Sequence, residues 1–226
     1  MRLILAALIS AAMTFPAEAH MPLEGFGFFA NGALHPLFIL AHMLVIAALA
    51  LLSGRQGFQA STQAAGVFFA ALVCGLALGT SATIAAVMTE SRLQAMLLTG
   101  AGIAGLAVAG ALHVDRRVLL GAVALAAFAL GLDSGLVGRS AWETFQTYAG
   151  TTIAATIATL YLGSVAAEIF SARPHWMQIG VRVIGSWIAA ISILVLALAF
   201  ASPSTRADKP RADIDTGVFV GPLTPV

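Results

Sequence analysis

Apolar residues in this chain are grouped in long runs, separated by short polar segments. Each run approaches or exceeds the roughly 20 residues that a helix needs to cross the hydrocarbon core of a bilayer. Short connections place consecutive helices side by side and antiparallel. The pattern therefore predicts an all-α integral membrane bundle of six transmembrane helices. We place these helices at residues 35–53, 62–88, 94–112, 118–137, 146–170 and 179–201.

One of these runs, residues 62–88, is longer than a single span requires. It contains Ser81 and Thr83 near its end. A hydrophobic stretch of this length either tilts in the bilayer or is interrupted. We therefore expect the span to be tilted or shorter than the run.

The first 19 residues have the features of a cleavable signal peptide. Arg2 supplies the positive charge, the apolar core that follows is too short to span a bilayer well, and Ala17-Glu18-Ala19 fits a cleavage site. An uncleaved first helix is the alternative. The predicted organisation is a signal peptide at 1–19, a six-helix transmembrane domain at 20–201 and a polar C-terminal tail at 202–226.

Arginine residues are unevenly divided between the predicted loops. If cleavage leaves the mature N-terminus outside, the cytoplasmic side carries Arg55, Arg116, Arg117, Arg173 and Arg182. The outer side then carries Arg92 and Arg139. This bias follows the excess of basic residues in cytoplasmic loops. We expect a protein of the bacterial inner membrane whose mature N- and C-termini are both periplasmic.

Composition supports the membrane assignment and excludes several functions. The chain of 226 residues is 60% hydrophobic and 9% charged, with a mean hydropathy of +0.96. A soluble domain has about a quarter charged residues. The net charge of +1 gives no support for nucleic-acid binding. Cys74 is the single cysteine, and the sequence has no nucleophile motif, phosphate loop or CxxC. We predict neither an enzyme nor a firmly bound cofactor.

Two histidines in the first predicted helix are the strongest candidates for chemistry. His35 precedes Pro36, and His42 follows seven residues later. In a straight helix this spacing puts both imidazoles on one face, about 10 Å apart. Ionisable groups at membrane depth are costly and therefore indicate function. The two side chains cannot easily bind one ion unless the helix unwinds around Pro36. They could instead form successive stations on a path, pair with residues elsewhere, or be neutral and hydrogen-bonded in the bundle.

Further candidate ligands lie on the same predicted outer face. Cleavage after Ala19 makes His20 the new N-terminus, where its amine and imidazole can chelate a metal together. Asp133, Glu143 and Glu90 carry carboxylates that could complete a hard-cation or mixed site, although for any one of them a solvated loop charge is the more common role. The predicted metal site consists of His20, His35, His42, Asp133 and Glu143.

The stretch from His35 to Leu44, HPLFILAHML, resembles the first motif of the HupE/UreJ family, HPxxGxDHxLAM. The histidine–proline start and the second histidine match. Ile39 stands in place of the family's glycine, and Ala41 in place of its aspartate. Segments 132–143, 148–150 and 160–163 resemble the family's second signature region, without the histidines that are usual there. The predicted six-helix layout is also similar.

The resemblance implies nickel or cobalt uptake to supply a metalloenzyme. The function hypothesis is an inner-membrane permease or metal-delivery accessory protein for nickel or cobalt. Its partners would be the lipid bilayer and a metalloenzyme maturation system. The departures from the motif leave two explanations: the site is rebuilt with His20, Asp133 or Glu143, or transport is lost. In the second case the protein is a non-transporting structural or assembly subunit of a larger membrane complex.

Overall fold

The computed structural model describes residues 27–135, 140–172 and 174–201. Within these ranges the chain forms eight helices and no strand, which confirms the all-α prediction. The helices are α1 Phe28–Phe38, α2 Leu40–Arg55, α3 Phe58–Gly79, α4 Ala82–Val87, α5 Glu90–Ala109, α6 Arg116–Asp133, α7 Ala141–Ala172 and α8 His175–Ala201. The predicted signal peptide at 1–19 and the C-terminal tail at 202–226 lie outside the described residues.

By length and composition, the described helices include four or five candidate membrane spans, so the six predicted spans are not all confirmed. Helices α3, α5, α7 and α8 are each long and apolar enough to cross a bilayer, and α1 and α2 together would form a fifth span. Helix α6 has 18 residues, about 27 Å of helix. Two arginines at its start and an aspartate at its end shorten its apolar part. Because of these three charged residues, α6 is not among the candidate spans.

Helix α2 forms the centre of the bundle. Most of its residues are buried, and it contacts α1, α3, α5, α6, α7 and α8. The outer helices pack in pairs around it, with α1 against α7, α3 against α6, and α5 against α8. A helix that is apolar on all sides is typically enclosed in this way. The central position of α2 places its polar side chains away from the surface of the bundle.

Glycines allow the outer helix pairs to approach closely. At each of these positions a Cβ atom would meet the backbone of the partner helix at less than a normal contact distance. Small residues permit such close packing of helices in lipid. The pairs are Gly32 and Gly150 between α1 and α7, Gly75 and Gly131 between α3 and α6, and Gly105 and Gly185 between α5 and α8.

The first predicted helix, residues 35–53, is broken rather than straight. Helix α1 ends before Ile39, whose ψ of 117° is extended, and the axes of α1 and α2 differ by 72°. Pro36 lies within α1 and has no N–H to donate to the carbonyl of Gly32. The Thr151 hydroxyl of α7 donates to that carbonyl instead, at 2.9 Å. A partner from another helix thus satisfies the carbonyl that Pro36 leaves unpaired.

Several other predicted boundaries change. The run at 62–88 divides into α3 and the short helix α4, in agreement with the expected shortening. Helices α5 and α7 begin earlier than predicted, so Glu90 and Glu143 lie in first helical turns and not in loops. Acidic side chains are favourable at helix N-termini because they interact with the helix dipole. The helices therefore extend to include them.

Candidate functional site

A buried contact between histidine and aspartate joins α2 to α6. His42 lies in the first turn of α2 and Asp133 is the last residue of α6. The His42 Nε2 atom is 2.8 Å from Asp133 Oδ2, and the two side chains are 0% and 1% exposed. The residues are 91 positions apart in sequence. The sequence placed Asp133 on the same membrane face as His35, and the structure brings it against His42.

The second histidine of the motif lies against the first. The ring centroids of His35 and His42 are 5.5 Å apart, with the edge of one ring towards the face of the other. His35 is also buried. The break at Ile39 brings the rings much closer than the roughly 10 Å expected from a straight helix. His35, His42 and Asp133 therefore follow one another from α1 through α2 to α6.

The hydrogen bond determines which nitrogen of His42 stays available. A carboxylate only accepts hydrogen bonds, so Nε2 must donate to Asp133. In the neutral imidazole the lone pair then lies on Nδ1. Within the described part of the chain, His42 Nδ1 and Asp133 Oδ1 are buried and have no hydrogen-bond partner. A histidine that binds a metal commonly donates its other ring N–H to a carboxylate, as His42 does here.

A cavity of about 170 Å³ reaches Asp133 from the side of the bundle. Its wall is formed by the end of α3, by α4, by the start of α5 and by the end of α6. Glu90 and Met88 line it and are exposed, whereas the Asp133 side chain lies at its buried end. We call this cavity the Asp133 vestibule. It places a second carboxylate, that of Glu90, on the approach to the His42–Asp133 pair.

Glu143 has a structural contact at the start of α7. Its carboxylate accepts from the Ser140 N–H at 3.0 Å, and the Glu143 N–H donates to Ser140 Oγ at 3.3 Å. This reciprocal arrangement is a capping box, which satisfies N–H groups at a helix start. The contact uses one of the carboxylates predicted to bind a metal.

The predicted site residues thus divide into three sets. The structure brings together His35, His42 and Asp133, it places Glu143 in the α7 cap, and His20 lies outside the described residues. Among the residues that the structure describes, no group of three or more histidine, cysteine, aspartate or glutamate side chains is arranged to hold a metal ion.

The sequence analysis missed the contact of Thr151 with Gly32. The proline signalled a free carbonyl but not its partner.

These features define a class of protein. Long apolar helices around a buried pair of ionisable side chains are typical of a membrane protein with an intramembrane polar site. Residues 6–195 of the chain match the HupE / UreJ protein family. The chain therefore belongs to the HupE/UreJ family, as its first motif suggested. No curated protein and no solved structure shows a significant match to it.

Proposed function

We propose that this protein is a permease or delivery protein for nickel or cobalt ions in the bacterial inner membrane. The HupE/UreJ family is linked to nickel or cobalt uptake and to accessory roles for hydrogenase and urease. Imidazole is a preferred ligand of divalent nickel and cobalt. The proposal assigns this chemistry to the row formed by His35, His42 and Asp133.

The observation that carries the proposal is the hydrogen bond from His42 to Asp133. It fixes the tautomer that leaves Nδ1 of His42 with a lone pair, the state in which a histidine binds a metal. Asp133 acts in this proposal as the positioning residue for His42 and as a negative charge that attracts the cation. His35, whose ring lies 5.5 Å from that of His42, is the next station.

The proposed path begins at the Asp133 vestibule. Glu90 and Asp133 provide two negative charges along it, and cations are attracted to such a cleft. His20 would act as the outer capture group. We further propose that α6 serves as a sixth span, which puts Arg55, Arg116 and Arg182 on the cytoplasmic side and both mature termini in the periplasm.

Uptake of nickel and cobalt by cells that lack their own importers tests the proposal. We expect His42→Ala and His35→Ala each to lower the uptake of nickel or cobalt at least tenfold, with the amount of protein in the membrane unchanged. His175→Ala is the matched control, because this histidine is exposed at the start of α8. Wild-type uptake by a correctly inserted His42→Ala variant would exclude the histidine path.

The alternative function is a structural or assembly subunit of a larger membrane complex. The same His42–Asp133 contact favours it, since a buried hydrogen bond between two helices can have a purely structural role, here to hold α2 against α6. In that case the native protein gives no uptake, and purification from native membranes in mild detergent recovers a stoichiometric larger partner. A single species without a partner would contradict this alternative.

A further inference from the structure

A large apolar groove runs along α2 from Val45, about one turn after His42, to Leu52 near the end of the helix. It encloses about 610 Å³ between α2, α5 and α6, and every residue that lines it is apolar or glycine. On α5 it extends from Met96 to Ala107, and on α6 from Val118 to Ala129. Helices α5 and α6 contact each other less than either contacts its main partner. The groove is therefore a gap in the wall of the bundle, with α2 as its floor.

The groove continues into a polar pocket. A second cavity of about 330 Å³ shares Leu52, Leu112 and Val114 with the groove and adds Arg55, Gln56 and His113 to its lining. We call it the Arg55 pocket. It lies where α2 and α5 end and α6 begins, and these helix ends belong at the membrane–water interface.

Positive charge is concentrated around the Arg55 pocket. Arg55 donates to the backbone carbonyls of Ala107, Ala111 and Leu112, and Arg182 donates to that of Ala109 at 2.9 Å. Carbonyls are neutral, so these bonds fix the guanidinium groups without neutralising them.

The remaining charges near this end do not cancel that excess. Arg116 begins α6, and its Nη2 atom is buried with no hydrogen-bond partner among the described residues. Asp115 is the acidic residue beside it, and its carboxylate accepts from the Arg117 N–H as the cap of α6. Arg55 lines the pocket, and the described arginines at this end of the bundle (Arg55, Arg116, Arg117 and Arg182) outnumber the carboxylates of Asp115 and Glu168.

We propose that the groove and the Arg55 pocket together bind one anionic phospholipid. An acyl chain lies in the groove and the phosphate lies in the Arg55 pocket. Basic pockets at the ends of transmembrane helices bind anionic head groups. The combination of an apolar gap with a cationic end matches the chemistry of such a lipid.

The length of the groove favours a lipid over a protein helix. Its lining on α6, from Val118 to Ala129, extends about 16 Å along the helix axis. One leaflet of the hydrocarbon core is about 15 Å thick, whereas a helix from a partner or a second copy would contact the full core of about 30 Å. The groove therefore fits the depth of one acyl chain.

Native mass spectrometry of the full-length protein in detergent tests the proposal. The probes are phosphatidylglycerol and phosphatidylcholine with identical acyl chains, and inorganic phosphate alone. We expect at least a fivefold preference for phosphatidylglycerol, the effect of about one basic residue near a charged head group. Equal retention of the two lipids would overturn the role of the Arg55 pocket. Phosphate that binds as well as the lipid would overturn the role of the groove.

Two variants separate the groove from the general surface. Ala122 is exposed and lines the groove on α6, and Ala122→Phe fills it. Ala70 is exposed on α3 outside the groove, so Ala70→Phe adds the same side chain to a different surface. We expect Ala122→Phe to remove the bound lipid and Ala70→Phe to retain it. Equal retention by both variants, or a dimer that Ala122→Phe disrupts, would refute the lipid site. The readout is the mass of bound lipid, so the result is independent of metal uptake.

Discussion

The contact between His42 and Asp133 can be tested by replacing both residues with leucine, singly and together. His42 Nε2 and Asp133 Oδ2 are 2.8 Å apart in a site with almost no solvent exposure. With the lone pair of His42 on Nδ1, the contact is a hydrogen bond from a neutral imidazole to a carboxylate, and a hydrogen bond to a charged group contributes about 1.5–3 kcal/mol. The three variants measure this contribution.

The single substitutions should be unequal. His42→Leu leaves the Asp133 carboxylate buried without a partner, and an unsatisfied buried group that is charged costs about 3 kcal/mol or more. Asp133→Leu leaves an imidazole that can remain neutral, so we expect the cost of one unsatisfied polar group, about 1–3 kcal/mol. The double variant replaces the pair with apolar side chains and should be close to the wild type in stability.

The measurement is the free energy of unfolding in mixed detergent micelles, followed by circular dichroism and tryptophan fluorescence. We expect a coupling energy of about 2 kcal/mol or more between the two sites, as for a hydrogen bond to a charged group. Hydrogen bonds between membrane helices average about 0.6 kcal/mol and reach about 1.7 kcal/mol. A coupling within that lower range would contradict the contribution expected of a hydrogen bond to a buried carboxylate.

If the native protein takes up metal, the double variant also separates a metal-binding role of the pair from a purely structural one, because it restores stability without restoring the ligands. If His42 binds the transported ion, the double variant is stable and inserted but does not support uptake. If the pair only holds α2 against α6, stability and uptake recover together. Uptake at the wild-type level in the double variant would therefore overturn the role of His42 in the metal path even if the coupling energy is large.

Three further predictions concern stability, each measured by thermal or detergent unfolding. Gly75→Ala should destabilise the protein by about 1–3 kcal/mol, since its Cβ meets the Phe128 carbonyl, whereas Gly66→Ala on the same helix has open space and should be neutral or stabilising. Ala111→Gly should stabilise by up to about 1 kcal/mol, because Ala111 has a φ of 55° that favours glycine. Glu143→Ala should cost about 1 kcal/mol through loss of the capping box, whereas Glu143→Gln keeps it. Equal effects of Gly75→Ala and Gly66→Ala would contradict the close helix packing. Equal effects of Glu143→Ala and Glu143→Gln would contradict the capping box, and destabilisation by Ala111→Gly would contradict the backbone conformation at that residue.

The sequence was sufficient for the helical class and for most helix positions, because apolar run length is a local property. It could not locate the break at Ile39. Pro36 signalled an interruption, but the Gly32 carbonyl that it leaves unpaired accepts from the Thr151 hydroxyl of α7, a partner 119 positions away that no local pattern identifies. The error in the distance between His35 and His42 followed directly from treating the helix as straight.

The partner of His42 was beyond reach of the sequence for a similar reason. Asp133, Glu143 and Glu90 were equivalent candidates, since all three were expected on one membrane face. The packing of α6 near α2 selects Asp133, while the starts of α7 and α5 contain the other two. Local signals place charges at helix ends, and only the arrangement of helices decides which charge is buried.

This arrangement bears on the departures from the family motif. The motif has glycine at the position of Ile39, which is the residue where the helix breaks, and Ile39 reaches the extended conformation with a negative φ that any residue can adopt. The motif has aspartate at the position of Ala41, next to His42. Adjacent residues on a helix do not face each other. A carboxylate that reaches the His42 ring is supplied here by Asp133 across the bundle, so the absence of aspartate at position 41 does not by itself deprive His42 of the partner that a metal-binding histidine requires.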